Sequence, residues 1–286
     1  MIKSCGFFDY LHAYYVSFCI SIIHFGSFRK EIKIAIATLV ILSFSSQAAS
    51  ENATPSVTIG LGAQYAPEYT GADKYNTNVL PYIEWSNDTW FLNSEKGAGY
   101  TRQFDNGIYI GQALGYSVGR TDKGNSWIQE GSKKLKGMGK IKPALTSTTT
   151  AGWWITPWVG FEGNIIAPLT DSQGMQYNVK VNLVLFNNDT DTLTVSSEGK
   201  YGDARFNNTW FGVNERQNTN SGYRKYNAGS GMSSIDYTIN WQHAFTDSWS
   251  GYADFRYTTL PNRVNRSPIV KKDDYITFTI GALYNF

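Results

Sequence analysis

The chain has little of what a soluble thiol enzyme or a helical membrane protein needs. Its 286 residues include only two cysteines, Cys5 and Cys19, and three histidines. After residue 50, no stretch reaches the roughly 18 consecutive apolar residues that a transmembrane helix requires. A mature chain that begins after Cys19 has no disulfide, no thiolate metal site and no thiol nucleophile.

The chain also has no excess of positive or negative charge once its N-terminal region is left out. The chain has 25 Lys and Arg and 23 Asp and Glu, and residues 1–48 hold four of the basic and two of the acidic ones. Residues 49–286 therefore carry 21 of each and no net charge. Because nucleic-acid binding relies on a basic excess, no nucleic-acid partner is predicted.

Aromatic residues and glycine are plentiful. Aromatics make up 15% of the chain, which also has 27 glycines and only 17% charged residues, with a mean hydropathy of −0.33. Membrane barrels use aromatic girdles at both interfaces, and lipid offers no hydrogen bonds to a free backbone. A chain of this composition that crosses a membrane must therefore do so as a closed β-barrel.

Apolar residues recur with a period of two, which is the signature of β-strands with two different faces. The segment Tyr275–Phe286 is long enough, at about 3.3 Å per residue, to cross a bilayer at a barrel's tilt. Its apolar row is Phe286, Tyr284, Ala282, Ile280, Phe278 and Ile276. The same alternation begins at Val57 and recurs from Tyr177, from Ile235 and from Trp249. A soluble β-sandwich would give a similar alternation and is the alternative interpretation.

Short turns separate the strands on one side, and longer polar stretches separate them on the other. Tight hairpin signals occur at Asp105-Asn106-Gly107 and Thr246-Asp247-Ser248. The long polar stretches are 66–77, 120–134, 214–231 and 260–273. This pattern predicts an all-β, antiparallel, up-and-down transmembrane barrel of about 12 strands (roughly 10–14), with short periplasmic turns and long extracellular loops.

Two segments leave the strand division open. Residues 87–104 fit either one strand or two, and 187–213 does not divide unambiguously. An even strand number is expected, because both ends of the barrel domain should lie in the periplasm.

The first 48 residues are predicted to be an N-terminal extension followed by a cleaved signal peptide. The signal proper is assigned to about 29–48, with Arg29, Lys30 and Lys33 before an apolar core and cleavage after Ala48. Residues 49–286 then form one barrel domain. Export by such a signal, together with a transmembrane barrel, predicts the outer membrane of a Gram-negative bacterium as the location.

No catalytic residue, cofactor or metal site is predicted. His243 is the only histidine after residue 48, and it shares the apolar row of Trp241 and Phe245, so we expect it at the membrane interface. Gly229-Ser230-Gly231 lacks the G-x-S-x-G spacing of a nucleophile elbow and is interpreted as loop. Residues 49–286 also have no cysteine for a zinc site and no D-x-D-x-D-G run of a calcium loop.

Two other groups of polar residues receive structural interpretations. The three Asn-X-Thr sequences at Asn87, Asn188 and Asn207 are interpreted as polar turns. The lysine cluster is interpreted as a solvated loop rim, with contact to lipopolysaccharide phosphates or an anionic partner as the alternative. The cluster consists of Lys133, Lys134, Lys136, Lys140 and Lys142.

The C-terminal strand is predicted to carry the assembly signal. Ile280, Tyr284 and Phe286 should present this strand to the barrel-assembly machinery, after which it closes against the strand that begins at Val57. The terminal aromatic residues would also join the periplasmic girdle, in contact with outer-membrane lipids.

The chain resembles the MipA/OmpV family of outer-membrane proteins, and the matching motifs extend over 55–286. They are Pro67–Asp73 ("PEYTGAD"), Leu80-Pro81, Phe211-Gly212-Val213, Ser221-Gly222-Tyr223, Tyr226, Gly229, Gly231, Thr246-Asp247, Trp249, Ser267–Val270 ("SPIV") and Tyr284-Asn285-Phe286.

The resemblance implies a non-enzymatic outer-membrane barrel, and the family has no catalytic residues to assign in this chain. It also implies binding to a murein lytic transglycosylase and a scaffold that links this hydrolase to a murein synthase in peptidoglycan synthesis. Two alternatives use the same barrel. One is a small-solute channel or permeability barrel, since the inner rows are polar, and the other is a surface adhesin or antigen acting through its extracellular loops.

Overall fold

Most of the chain that the structure describes is β-strand. The computed structural model describes residues 55–124 and 129–286, so the predicted extension, signal peptide and cysteines lie outside the described residues. The long strands are β1 Ser56–Pro67, β2 Tyr75–Ser86, β5 Ile108–Ser117, β8 Ala144–Thr156, β9 Val159–Pro168, β10 Gln176–Asn187, β11 Asp191–Gly202, β12 Gly231–Ala244, β13 Trp249–Thr259 and β14 Asp274–Asn285. The short strands are β3 Trp90–Asn93, β4 Gly97–Gln103, β6 Arg120–Thr121 and β7 Glu130–Gly131.

Twelve of these strands close into one antiparallel barrel, and β6 and β7 pair separately. The first and last strands form the seam, where Thr58 lies opposite Asn285 and Tyr65 opposite Phe278. The backbone N–H of Phe286 donates to the carbonyl of Val57 at 3.0 Å. The predicted fold class, strand number and closure of the last strand on the first are confirmed.

The two faces of each strand differ as the alternation predicts. Outward side chains are apolar and widely exposed, as at Leu61 (60% exposed), Val179 (63%) and Ile280 (53%). Inward neighbours on β14, Thr277 and Thr279, are each only 7% exposed. An apolar outer wall around a polar interior suits a barrel whose outside meets lipid.

The segment 87–104 forms a short hairpin, which resolves the question that the sequence left open. Strands β3 and β4 have four and seven residues, against 12 in β2 and ten in β5. The hairpin therefore covers only part of the wall between its two longer neighbours. The segment 187–213 divides into the turn after β10, strand β11 and a helix.

Helices occur only in the long connections at one end of the barrel, as far as the described residues show. They are a 3-10 turn Lys133–Leu135, α1 Ala204–Phe211, α2 Glu215–Ser221 and α3 Asn262–Asn265. In the described part of the chain, none of the helices has the length and apolar character to cross a membrane. The long loops predicted from the sequence are thus partly helical.

Ordinary capping signals fix two of these helices. The Asp203 carboxylate accepts the backbone N–H of Phe206 at the start of α1. Asn214 and Gln217 form a reciprocal capping box on α2, which ends at Gly222 with a left-handed φ of 77°.

Candidate functional site

The long connections pack together into a cap at their end of the barrel. Four of them contribute buried apolar side chains to one cluster, which consists of Tyr69, Ala72, Leu135, Met138, Val213 and Ile269. The Tyr69 hydroxyl donates to the Ile269 carbonyl at 2.8 Å, joining the first loop to the last. The cap is therefore a small folded core built from distant segments, and not a set of independent loops.

Arg120 lies inside this cap. It is 3% exposed, and its Nη1 donates to the Trp210 carbonyl at 2.7 Å. Its guanidinium carbon lies 5.9 Å from the Tyr69 ring centre and 5.7 Å from that of Trp210. Burial lowers the pKa of Arg120 to about 10, so the side chain stays charged at neutral pH. A buried cation held by a carbonyl and two rings ties β6 to α1 and to the first loop.

The lysine cluster divides between two environments. Lys134 forms an ion pair with Asp73, and this contact holds the pKa of the Asp73 carboxyl below its usual range. Lys140 and Lys142 line an open cleft of about 950 Å³ on the cap, together with Arg205. Lys140 and Lys142, which line this cleft, match the solvated rim predicted for the cluster. Lys134 differs from them because its ion pair with Asp73 joins two loops.

The barrel lumen is polar and charged. Lys200 Nζ lies 2.7 Å from Asp236 and 3.7 Å from Glu198. Two strands away, on β9, Glu162 accepts hydrogen bonds from the Tyr109 hydroxyl at 2.8 Å and from Asn164 Nδ2 at 2.9 Å. Part of this lumen under the cap is a chamber of about 390 Å³, which Lys200 and Asp236 border. The predicted polar inner rows thus form hydrogen-bonded networks.

The short-turn rim is the opposite end of the barrel, and it is acidic. Asn87 and Asn188 accept backbone N–H groups from the residues two and three positions on, which forms two matching turns. Four exposed aspartates lie on this rim: Asp88, Asp105, Asp189 and Asp247. The five turns, 87–89, 104–107, 157–158, 188–190 and 245–248, contain no lysine or arginine.

Two of the three Asn-X-Thr sequences are turns, and the third is not. Asn207 lies in α1, is 0% exposed, and donates from Nδ2 to the Gly231 carbonyl at 3.1 Å. The prediction of a polar turn there is wrong, because the Asp203 cap starts a helix that the polar composition of 207–209 did not reveal.

His243 lies in the row of Trp241 and Phe245, as the alternation predicts. Its Nδ1 is 2.8 Å from the Asp191 carboxylate, which also accepts the Trp241 indole N–H at 2.9 Å. The Phe245 ring is 4.9 Å away. Indole and imidazole share one carboxylate among aromatic side chains, which is the composition of an interfacial girdle. Within the described residues, no group of three potential metal ligands converges.

Ile280 and Tyr284 lie on the outer row of β14, and Phe286 continues this row directly after the strand. The Tyr284 ring packs edge-on against Trp249 at 5.0 Å and against Phe286 at 4.8 Å. Phe286 is 74% exposed beside the last hydrogen bond of the seam. The structure places Tyr284 and Phe286 together at the short-turn end and Ile280 in the middle of the strand, opposite Ala63, and their role in assembly stays a prediction.

Comparison with known proteins identifies the family. The model of the family described as MltA-interacting protein MipA matches residues 59–286. The chain belongs to this family. No curated protein sequence matches the chain.

Three solved outer-membrane proteins resemble this member of the family in structure. An outer membrane channel from Pseudomonas putida F1 is 9% identical, with a TM-score of 0.47 over 81% of this chain and 96% of the channel. The NanC porin is 9% identical, with a TM-score of 0.42 over 80% of this chain and 98% of the porin. The KdgM porin is 9% identical, with a TM-score of 0.39 over 81% of this chain and 99% of the porin. Such identities and scores carry no functional inference.

Family membership and the closed barrel support a non-enzymatic barrel located in an outer membrane. In such barrels the short turns face the periplasm and the long loops face outward. From this rule we expect the acidic rim and both ends of the barrel domain to be periplasmic and the cap to be extracellular. Several motifs behind the family resemblance meet in the cap, including Tyr69, Val213, Tyr226 and Ile269.

Proposed function

We propose that this protein is an outer-membrane scaffold that binds a murein lytic transglycosylase at its periplasmic rim and links it to a murein synthase. The observation that carries the proposal is the family match across almost the whole barrel, since the family is described by its interaction with MltA. A scaffold needs no catalytic group of its own, and its work is to hold two enzymes at one place on the membrane.

The periplasmic rim offers a surface that suits such a partner. Asp88, Asp105, Asp189 and Asp247 are exposed on four short turns with no basic residue among them. Short turns on a closed barrel are well fixed, so these charges keep their spacing. Their complement is a basic protein surface, and opposite charges speed association and select the partner.

Export and assembly complete the proposed pathway. Residues 29–48 direct the chain across the inner membrane and are removed after Ala48. The barrel-assembly machinery then recognises the β14 strand at Ile280, Tyr284 and Phe286. Once inserted, the outer wall contacts membrane lipids, and Lys140 and Lys142 in the cap cleft face lipopolysaccharide phosphates.

We expect neutralising the rim to weaken capture of the transglycosylase. The variant carries Asp→Asn at positions 88, 105, 189 and 247, and should recover several-fold less transglycosylase from crosslinked envelopes. The physical reason is the loss of four charges that steer and orient the partner.

The matched control removes four acids from the extracellular side, at Asp122, Asp171, Glu215 and Asp273. It should recover as much transglycosylase as the unchanged protein. Equal recovery by the rim variant would rule out the rim as the binding surface. Recovery of no murein enzyme by the unchanged protein would contradict the scaffold itself.

A small-solute channel is the second candidate, favoured by the charged lumen around Lys200 and Glu162. The folded cap argues against a wide pore through the barrel, because its apolar core joins four loops over the extracellular end. Crosslinked envelopes that yield only barrels, together with ion conductance in planar bilayers, would favour the channel over the scaffold.

A further inference from the structure

The cleft on the cap carries a positive charge that the rest of the chain does not. Five basic and two acidic side chains line it, an excess of three positive charges. The basic ones are Arg120, Lys140, Lys142, Arg205 and Lys225, and the acidic ones are Asp171 and Glu215. Because residues 49–286 have no net charge as a whole, the cleft is a local concentration of positive charge on a neutral protein.

Two of the five basic side chains are held by groups of the protein itself. Lys225 forms an ion pair with Glu215 at the edge of the cleft. Arg120 is buried beneath the cleft, where it donates to the Trp210 carbonyl and is attracted by the Glu130 carboxylate. Arg120 therefore adds positive charge to the floor of the cleft but is not exposed to a ligand.

The other three cations have no acidic partner among the described residues. They are Lys140, Lys142 and Arg205, and all three are exposed. Residues 125–128, which interrupt the described part of the cap, are Asn, Ser, Trp and Ile and include no acid. Asp171, the remaining acid of the cleft, offsets one of the three charges. A ligand with negative charge is the natural complement of such a surface.

Hydrogen bonds fix the segment that carries the two lysines. Arg120 N–H donates to the Ile141 carbonyl at 3.1 Å, and Ile141 N–H donates to the Arg120 carbonyl at 2.8 Å. The Lys142 carbonyl accepts Nε2 of Gln173, whose side chain is buried. Side chains two residues apart on an extended segment lie on the same side, which agrees with Lys140 and Lys142 both lining the cleft.

Arg205 approaches the cleft from α1, which the Asp203 carboxylate caps. Asn208 and Thr209 line the cleft with it, at the spacing of three and four residues that places side chains on one face of a helix. Asn208 Oδ1 accepts the Ala228 N–H at 2.8 Å, which orients the amide. The cations thus come from two fixed elements, so the cleft is formed before any ligand binds.

A sugar that carries phosphate matches this arrangement better than a sugar that carries carboxylate. A phosphate monoester has a charge of about −1.5 to −2 and three acceptor oxygens, and Lys and Arg both bind it well. The cleft of about 950 Å³ has room for more than one sugar ring. Amide and hydroxyl groups that can bind sugar hydroxyls also line it, at Ser172, Asn208, Thr209, Asn214, Gln217 and Asn227.

We propose that the cap cleft is a binding site for a phosphorylated saccharide. Lys140, Lys142 and Arg205 bind the phosphate oxygens, and the surrounding amides and hydroxyls bind the sugar. The proposal deepens the proposed contact of the cap with lipopolysaccharide phosphates, and a soluble sugar phosphate has the same chemistry. It rests on the outward orientation of the cap and does not depend on binding of a transglycosylase at the rim.

The test measures binding of the phosphorylated oligosaccharide that remains when lipopolysaccharide is deacylated. Folded protein in phosphatidylcholine nanodiscs is titrated by calorimetry, and a gel shift on boiling confirms that each barrel is folded. The cleft variant carries Lys140→Gln, Lys142→Gln and Arg205→Gln. The matched control changes three exposed cap lysines outside the set that lines the cleft, as Lys123→Gln, Lys133→Gln and Lys136→Gln.

We expect the cleft variant to bind the oligosaccharide at least about tenfold more weakly than the unchanged protein, because charge-assisted hydrogen bonds to phosphate are lost. The control loses the same charge and should bind like the unchanged protein. Removing the phosphates from the oligosaccharide should weaken its binding to the unchanged protein by a similar factor. If the cleft variant does not fold, Lys142→Gln alone takes its place, with a loss of about threefold.

A second set of nanodiscs distinguishes the two sources of the ligand. If nanodiscs that contain lipopolysaccharide no longer bind the oligosaccharide, lipopolysaccharide of the membrane occupies the site, and undiminished binding identifies a soluble saccharide as the ligand. Both results support the site. Transglycosylase recovery from crosslinked envelopes should be equal for the cleft variant and the control, so failure of the scaffold is measured separately.

Three results would overturn the proposal. Equal weakening by the cleft variant and the control would mean that the cap attracts anions by diffuse charge and has no site. Equal binding of the oligosaccharide with and without its phosphates would mean that the cations do not recognise phosphate. Absence of binding to the unchanged, folded protein would mean that the cleft does not bind this class of ligand.

Discussion

Outer membranes containing Phe286→Asp should hold about tenfold less folded protein than those containing Asn262→Asp, a loss larger than lipid contact alone explains. A charge near the membrane interface costs at most about 1 kcal/mol, which is roughly a fivefold effect. Phe286 lies at that interface, packed on Tyr284 and next to the last hydrogen bond of the seam. A tenfold loss would therefore reflect failed recognition of β14 during assembly.

Asn262 is a suitable control because it is exposed at the start of α3 in the last extracellular connection. The same chemical change there adds one negative charge without touching the seam. The measurement is the amount of heat-modifiable protein in isolated outer membranes at equal expression. Equal amounts for the two variants would exclude Phe286 from the assembly signal.

Tyr69→Ala should make the cap at least about a hundredfold more sensitive to trypsin added outside intact cells. Tyr69 is 0% exposed and joins the first loop to the last through the Ile269 carbonyl. Truncating a buried aromatic side chain costs about 3–5 kcal/mol, and cleavage follows the population of the opened state. The barrel itself should stay folded, because the strands do not depend on the cap.

Tyr237→Ala serves as the matched control, since Tyr237 faces outward from the middle of β12 and is 49% exposed. Its cleavage rate should equal that of the unchanged protein. If Tyr69→Ala were cleaved no faster than Tyr237→Ala, the extracellular connections would not form one cooperative cap.

The barrel could be predicted from the sequence because its determinants are local. Alternation on β1 and β14 fixes which side chains face lipid, and the hairpin turns fix which strands are neighbours. Closure follows because lipid leaves no stable alternative for the edges of the first and last strands. The pairing of β14 with β1 was therefore predicted, but the register that places Thr58 opposite Asn285 came from the structure.

The cap could not be predicted, because its contacts are far apart in sequence. Tyr69 and Ile269 are 200 residues apart, and nothing near either one indicates the other. Residues in such loops also follow no hydrophobic period. The motifs of the family resemblance marked several of these positions, but only as a pattern without a structural reason.

The short β3–β4 hairpin could not be predicted for a different reason. The segment 87–104 holds too few apolar residues to distinguish one long strand from a short hairpin. Two signals were present in hindsight: Pro81 inside an otherwise regular strand, and the charged pair Glu95 and Lys96 where a lipid-facing strand would be apolar.

A disulfide across the seam tests the closed barrel most directly. Gln64 lies opposite Thr279, with the amide nitrogen 3.4 Å from the hydroxyl. Since the Phe286–Val57 hydrogen bond belongs to the odd residues of β1, Gln64 and Thr279 form a non-hydrogen-bonded pair, whose Cβ atoms are close enough for a disulfide.

The chain carrying Cys5→Ser, Cys19→Ser, Gln64→Cys and Thr279→Cys is oxidised in isolated outer membranes, boiled without reductant and mapped by mass spectrometry. We expect a disulfide that joins β1 to β14 in most of the folded protein. In the control, Asn285→Cys replaces Thr279→Cys, six residues farther along β14, and should form no bridge. A folded protein in which Gln64→Cys fails to bridge Thr279→Cys, or bridges Asn285→Cys equally well, would contradict the closed twelve-stranded barrel.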